Sequence, residues 1–207
     1  MAQRIIDELK IIKQDVDESA IRKTIIDFFD EMEVDDVPER TKLAISLEKI
    51  VRNILLLALA GELAREQLID QFIREYSMAV LDSGYRPNYA HIERVCADIV
   101  DNTLKGIDTP YMTSTDRSIL IAETETNNIA NNDEFEQAKA EGKTEKTWVA
   151  FHDNKTRQTH RDIDGTTIPI DDMFQVGMAE LMYPCDEING YDFPEEVCNC
   201  RCHTIYS

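Results

Sequence analysis

The stretches WVAFHDNKTRQTHRDIDG, residues 148–165, and PEEVCNCRCH, residues 194–203, decide how this chain is read. Three of the four histidines (His152, His160, His203) and four of the five cysteines (Cys185, Cys198, Cys200, Cys202) fall between Trp148 and His203. The hydrophobic period also changes here. Thr147 to Phe151 is short and β-prone, Asp164-Gly165 is a tight-turn signal, and Ile168-Pro169-Ile170 reads as extended. Asp171-Asp172 are placed to cap a short turn holding Met173, Phe174 and Val176. Tyr183-Pro184, Asn189-Gly190 and Phe193-Pro194 are loop punctuation. A loop-rich segment with so small an apolar inventory often needs an additional staple.

Upstream the period is helical. Ile5, Ile6, Leu9, Ile12 and Val16 form one face, and Ile21, Ile25, Phe28, Phe29 and Met32 a second. The acidic run from Asp30 to Asp36 and then Pro38 are expected to break that helix. Leu43, Leu47, Ile50, Ile54 and Leu57 predict a well-buried helix over 41–60, with Gly61 bending or ending it. Further helices are expected over 62–81 and 89–104. Thr115-Asp116 caps another, whose end is crowded by Asn127, Asn128, Asn131 and Asn132, followed by a separate helix over 134–140. His91, in the first turn of its helix, is expected at the surface, and Cys96 in the core. The fold class is therefore α+β: a mainly helical N-terminal region, residues 1–108, then a small loop-rich α+β domain, residues 109–207.

The composition narrows the function classes. The chain has 207 residues, is 43% hydrophobic and carries a net charge of −19. Divided at Pro110, both parts are acidic, at −8 and −11. Neither has the clustered Lys and Arg that phosphate-backbone binding requires, so no direct sequence-specific nucleic-acid binding is expected. The longest apolar run, Ile54 to Ala60, falls far short of the ~20 residues a membrane span needs. The N-terminus has charges throughout and does not read as a signal peptide, so the reducing cytosol is the default and disulfides are not the first reading of the cysteines.

Cys198-x-Cys200-x-Cys202 offers thiolates at alternate positions. In an extended strand such residues share a face, so all three would converge, with Asn199 and Arg201 pointing away. With His160 as the fourth ligand this is a candidate zinc site, His152 and His203 standing in reserve. The competing reading makes the cysteines small buried residues of a terminal strand and gives His160 a core hydrogen bond. A second chemistry would use His152, Asp153, His160, Asp162 and Asp164 as a metal-dependent or acid–base hydrolase site. No HExxH, nucleophile elbow or phosphate-binding glycine loop accompanies them, and Asp162 and Asp164 equally suit the shaping of the turn at Gly165. No catalytic residue is assigned. Arg157 and Arg201 are expected to pair with carboxylates inside the acidic domain.

These residues resemble a known signature. Trp148, Asp153, Thr156-Arg157, His160, Asp164-Gly165, Asp171 or Asp172, Phe174, Tyr183-Pro184, Pro194-Glu195 and Asn199-Cys200-Arg201-Cys202 are similar, in order and spacing, to the Mu F-like minor head proteins of tailed bacteriophages. Thr124-Glu125 resembles that family's R-T-E segment. The resemblance covers roughly residues 111–202. Glu123 stands where the family usually has Arg, and Cys185 where it usually has Gly; Cys198 and His203 are additional. The resemblance implies a non-enzymatic, structural minor capsid protein located in the virion, and in the host cytoplasm during assembly. It would associate with the portal and other head proteins and act in head morphogenesis or DNA delivery, with the helical region as docking arm. A metal-dependent hydrolase or toxin-like effector, and a zinc-stabilised interaction module, are the alternatives.

Overall fold

A computed structural model describes residues 17–207. The expected face over Ile5–Val16 lies outside the described residues. Helix α1, Glu18–Asp30, opens at Asp17, whose carboxylate accepts the amides of Ser19 and Ala20 at 3.0 Å each. Such a cap satisfies donors that the first turn leaves free. The helix buries Ile21, Ile25 and Phe29. Helix α2, Val37–Ala60, starts earlier than the periodicity predicts. Pro38 sits in its first turn, where its missing N–H costs nothing, so it begins the helix. Gly61 ends α2 at φ 65°, a conformation glycine adopts without strain.

Helices α3, Arg65–Asp82, and α4, Tyr89–Lys105, follow, then a 3-10 turn over Pro110–Thr113. Helix α5, Thr115–Ala140, is a single helix. The asparagines expected to close it lie inside it, and the separate helix over 134–140 is its last turns. Leu43, Leu47, Val51 and Ile54 of α2, Phe72 and Tyr76 of α3, and Ile92 and Cys96 of α4 share one core with Ala122, Ile129 and Ala130 of α5. Burial of each large apolar side chain there contributes about 1.5–3 kcal/mol. His91, expected at the surface, is fully buried in this region.

Strand β1, Glu145–Val149, is the centre of a three-stranded antiparallel sheet, between β2, Thr167–Pro169, and β5, His203–Tyr206. Thr147 faces Thr167, with their hydroxyls 2.8 Å apart, and Trp148 faces Thr204. The short helix α6, Gln158–Asp162, lies between β1 and β2. Phe174–Val176 is a strand, β3, where a capped short turn was expected. It pairs with β4, Ala179–Leu181, around Gly177 at φ 59°. Phe174, Val176, Ala179 and Leu181 point inward and their neighbours outward, the two-residue alternation of a half-buried hairpin. A last short helix, α7, covers Pro194–Val197. Trp148, Phe174, Val176, Leu181, Cys185, Cys200 and Cys202 form the core of this part.

Candidate metal centre

His160 lies on α6 and is 1% exposed. Its ring stands edge-on to Trp148, with centroids 5.4 Å apart at 88°, and Trp148 stands edge-on to Phe174 at 5.2 Å. That packing fixes the imidazole. Nδ1 faces two sulfurs, 3.4 Å from Cys202 Sγ and 3.5 Å from Cys200 Sγ. Tetrahedral zinc with Zn–S of about 2.3 Å and Zn–N of about 2.0 Å sets its sulfur and nitrogen ligands about 3.5 Å apart. Both nitrogen–sulfur separations therefore match those around a shared ion.

The other ring nitrogen completes the pattern. Nε2 lies 3.2 Å from Glu196 Oε2, without hydrogen-bond geometry and with no other partner. Glu196 is held by the Thr159 hydroxyl, which donates to the same oxygen at 2.7 Å. Gly177 is required beside it, since a Cβ there would lie 2.6 Å from Glu196 Oε1. A carboxylate behind a ligating imidazole is the arrangement that orients histidine toward a metal. Burial pushes the Cys200 thiol well above its ordinary range, and the Cys200 contact together with burial does the same for Cys202. Both thiols are thus neutral in the free protein, and a metal would have to displace their protons.

Cys198, the remaining expected ligand, does not join the group. Residues 198–202 are not the regular strand that the alternation argument assumed. Asn199 takes φ 57°, which breaks the alternation between Cys198 and Cys200 while leaving Cys200 and Cys202 together. Cys198 is half-buried, and its carbonyl accepts from Arg157. His203, the reserve ligand, opens β5 opposite Val149. The fourth side of the triad borders a cavity of about 490 Å³, lined also by Glu123, Lys155, Arg157 and Arg201.

The hydrolase candidates other than His160 are distributed elsewhere. His152 is largely exposed and pairs with Asp164 at 2.7 Å. Asp164 also accepts the Ala150 amide at 2.8 Å, and that bond leads the effects holding its carboxyl below the usual range. Asp162 accepts from Gln158 within α6, and Asp153 is taken up by Arg201 and Thr156.

The remaining motif residues hold the loops in place. Gly165, at φ 71°, donates its amide to the Trp148 carbonyl at 2.9 Å. Arg201 stacks on Phe151, 3.9 Å from the ring centroid. The Tyr183 hydroxyl donates to Asn132 at 2.9 Å. The Pro184 carbonyl accepts from Asn131 at 2.8 Å, and the Cys185 carbonyl from Asn128. Asn127 donates to the Cys200 carbonyl at 3.0 Å. The Asn199 amide donates to the Thr124 hydroxyl at 3.2 Å, and that hydroxyl donates to the Asn199 side chain. The asparagine face of α5 was visible in the sequence but was read as a helix end. Glu196 gave no signal beyond its place in the PEEVCNC run.

A protein family described as Phage Mu protein F like protein matches residues 19–205. The chain belongs to that family. Membership makes it a structural phage protein of head morphogenesis, with its place in the virion, and the match takes in the helices as well as the terminal motif. This family member is also similar to the NAD(+)--arginine ADP-ribosyltransferase EFV of Enterococcus faecalis (strain ATCC 700802 / V583), 31% identical over 93 residues. That likeness covers 43% of this chain and 18% of the relative, so the chain spans less than a fifth of that protein's length. No solved structure matches. No helix among the described residues is long and apolar enough to cross a membrane.

Proposed function

We propose that this head protein is a portal-associated minor capsid component without enzymatic activity, acting in head assembly or DNA delivery. The match over residues 19–205 carries the reading, because it joins the helical region and the terminal motif in one phage head family. The chemistry of the motif supports it. Arg157, Asp164, Asn199 and Arg201 all engage partners within the chain, which is what residues that maintain a fold do. The helical segment within residues 1–108 is the docking arm, and residues 109–207 carry the motif. Quantitative mass spectrometry of purified heads tests the reading. A few copies per particle, recovered with portal protein, are expected; absence from heads of a chain abundant in the cell would overturn it.

His160, Cys200 and Cys202 are the proposed zinc ligands, with water from the adjoining cavity as the fourth. Elemental analysis of the reduced protein is expected to find about one zinc per chain at this donor set. A three-ligand site beside a cavity also favours a second reading, a metal-dependent hydrolase. His160→Ala separates the two. A structural ligand lost lowers the melting temperature, whereas an enzyme stripped of its centre stays folded and loses turnover.

A further inference from the structure

A second group of ligand-bearing side chains lies where α4, α5 and the loop after Asp186 meet. Glu125 of α5 is its hub. His91 Nε2 is 2.7 Å from Glu125 Oε2, and the Tyr76 hydroxyl donates to the same oxygen at 2.8 Å. Glu187 approaches this carboxylate from the loop. One ligand atom each from His91, Glu125 and Glu187 lies within 4.8 Å of the other two. His91 and Tyr76 are fully buried and Glu125 nearly so, and His91 Nδ1 is buried without a partner.

Two carboxylates this close repel when both are ionised. They need a shared proton or a cation between them. Arg94 does not bridge them: it donates to the Glu187 backbone carbonyl at 2.7 Å and lies over the Tyr191 ring. A divalent ion between them would balance the two carboxylates. Glu125 and Glu187 line a cavity of about 300 Å³, which gives an ion a route in.

We propose that His91, Glu125 and Glu187 form a divalent-cation site that ties the loop after Asp186 to helices α4 and α5. The donor set, two oxygens and one nitrogen, suits manganese, iron(II) or zinc and differs in kind from the sulfur-rich triad at His160. It shares no residue with that triad and does not depend on the proposed function. His91 Nε2 turns its lone pair to the ion in place of its contact with Glu125, and the Tyr76 hydroxyl continues to hold the Glu125 carboxylate.

Manganese tests the site, because a hard ion discriminates against the two thiols. The full chain, stripped with chelator and dialysed, is titrated with Mn²⁺ and followed by electron paramagnetic resonance. One tightly held ion per chain is expected in the natural sequence and in Cys200→Ser/Cys202→Ser, with binding weakened about tenfold or more in Glu187→Gln. Glutamine preserves the shape of a protonated Glu187, and circular dichroism checks its fold. Should Glu187→Gln fail to fold, Glu187→Asp, one methylene shorter, is read on the same scale. Failure of the natural chain to bind Mn²⁺, or full retention by a folded Glu187 variant, overturns the proposal.

Discussion

Asn127 donates its side-chain amide to the carbonyl of Cys200 at 3.0 Å, in a site closed to water. The same amide accepts from Arg40 Nη1 at 3.1 Å. Arg40 is itself fully buried, paired with Asp36 at 2.6 Å and Glu134 at 2.5 Å. A guanidinium in the helical core is thus linked through one asparagine to the backbone that presents a candidate metal ligand.

Replacing Asn127 with Ala leaves the Cys200 carbonyl with only the weak thiol donor of Cys185 at 3.2 Å, and Arg40 Nη1 with only Asn131 at 3.4 Å. Loss of the two buried bonds is expected to cost about 1–3 kcal/mol. Urea unfolding measures it. A change under about 0.5 kcal/mol, the size of a neutral surface substitution, would show that the bond does not contribute.

Glu196 is expected to act on the metal through His160. Glu196→Ala should weaken zinc about 10–100-fold while leaving all three proposed ligands in place. Competition with a chromophoric chelator reads the affinity, and an unchanged constant would remove Glu196 from the centre.

Glu123 lines the larger cavity, and burial raises its carboxyl to about 7 against the opposing charges of Arg201 and Lys155. The unfolded chain ionises this group near its ordinary value of 4.5. Between pH 4.5 and 7 the folded protein therefore holds more protons than the unfolded one, and stability falls as pH rises. Glu123→Gln removes that slope. Relative to the natural chain the variant should gain stability from pH 5 to pH 8, by roughly 3 kcal/mol at most. Parallel pH profiles of the two proteins would expose a mistaken assignment.

Asp153 has the opposite sign. Burial works against its ionised form, but hydrogen bonds from Arg201, Thr156 and the Lys155 amide outweigh it and hold the carboxyl at about 2. The stabilisation is present above about pH 4, near the ordinary aspartate value, and is lost as pH falls toward 2. Arg201→Met keeps an apolar contact with Phe151 and should flatten that acid limb, which thermal melts from pH 5 to pH 2 would record.

Cys185 takes φ 65°, a conformation that costs an L-residue about 1–2 kcal/mol and glycine almost nothing. Its side chain is nonetheless fully buried. Cys185→Gly trades relief of backbone strain against lost packing, so the change should stay within about 1 kcal/mol of zero. A loss above about 3 kcal/mol, the size of a core truncation, would show that the thiol does more than fill space.

Much of this was legible beforehand, for physical reasons. The four helices that the described residues form before the 3-10 turn declared themselves because one wide apolar stripe recurs every three or four residues. The pairing of His160 with Cys200 and Cys202 was legible from residue chemistry and alternation. What failed were readings that depended on a single backbone angle or on the opposite face of a helix. The left-handed turn at Asn199 detaches Cys198, and no alternation rule contains it. Asn127, Asn128 and Asn131 lower helix propensity locally and so resemble a terminus, yet each is retained because it faces a carbonyl from the loops. His91 looked exposed for a similar reason, since its partners Glu125 and Glu187 are distant in sequence.

Helix α5 is a wall of the apolar core on one side and a row of amide donors on the other. The carbonyls of Pro184, Cys185 and Cys200 each take a side-chain donor from that row. The loops carrying Cys185, Cys200 and Cys202 are therefore cast against a surface that the helices provide.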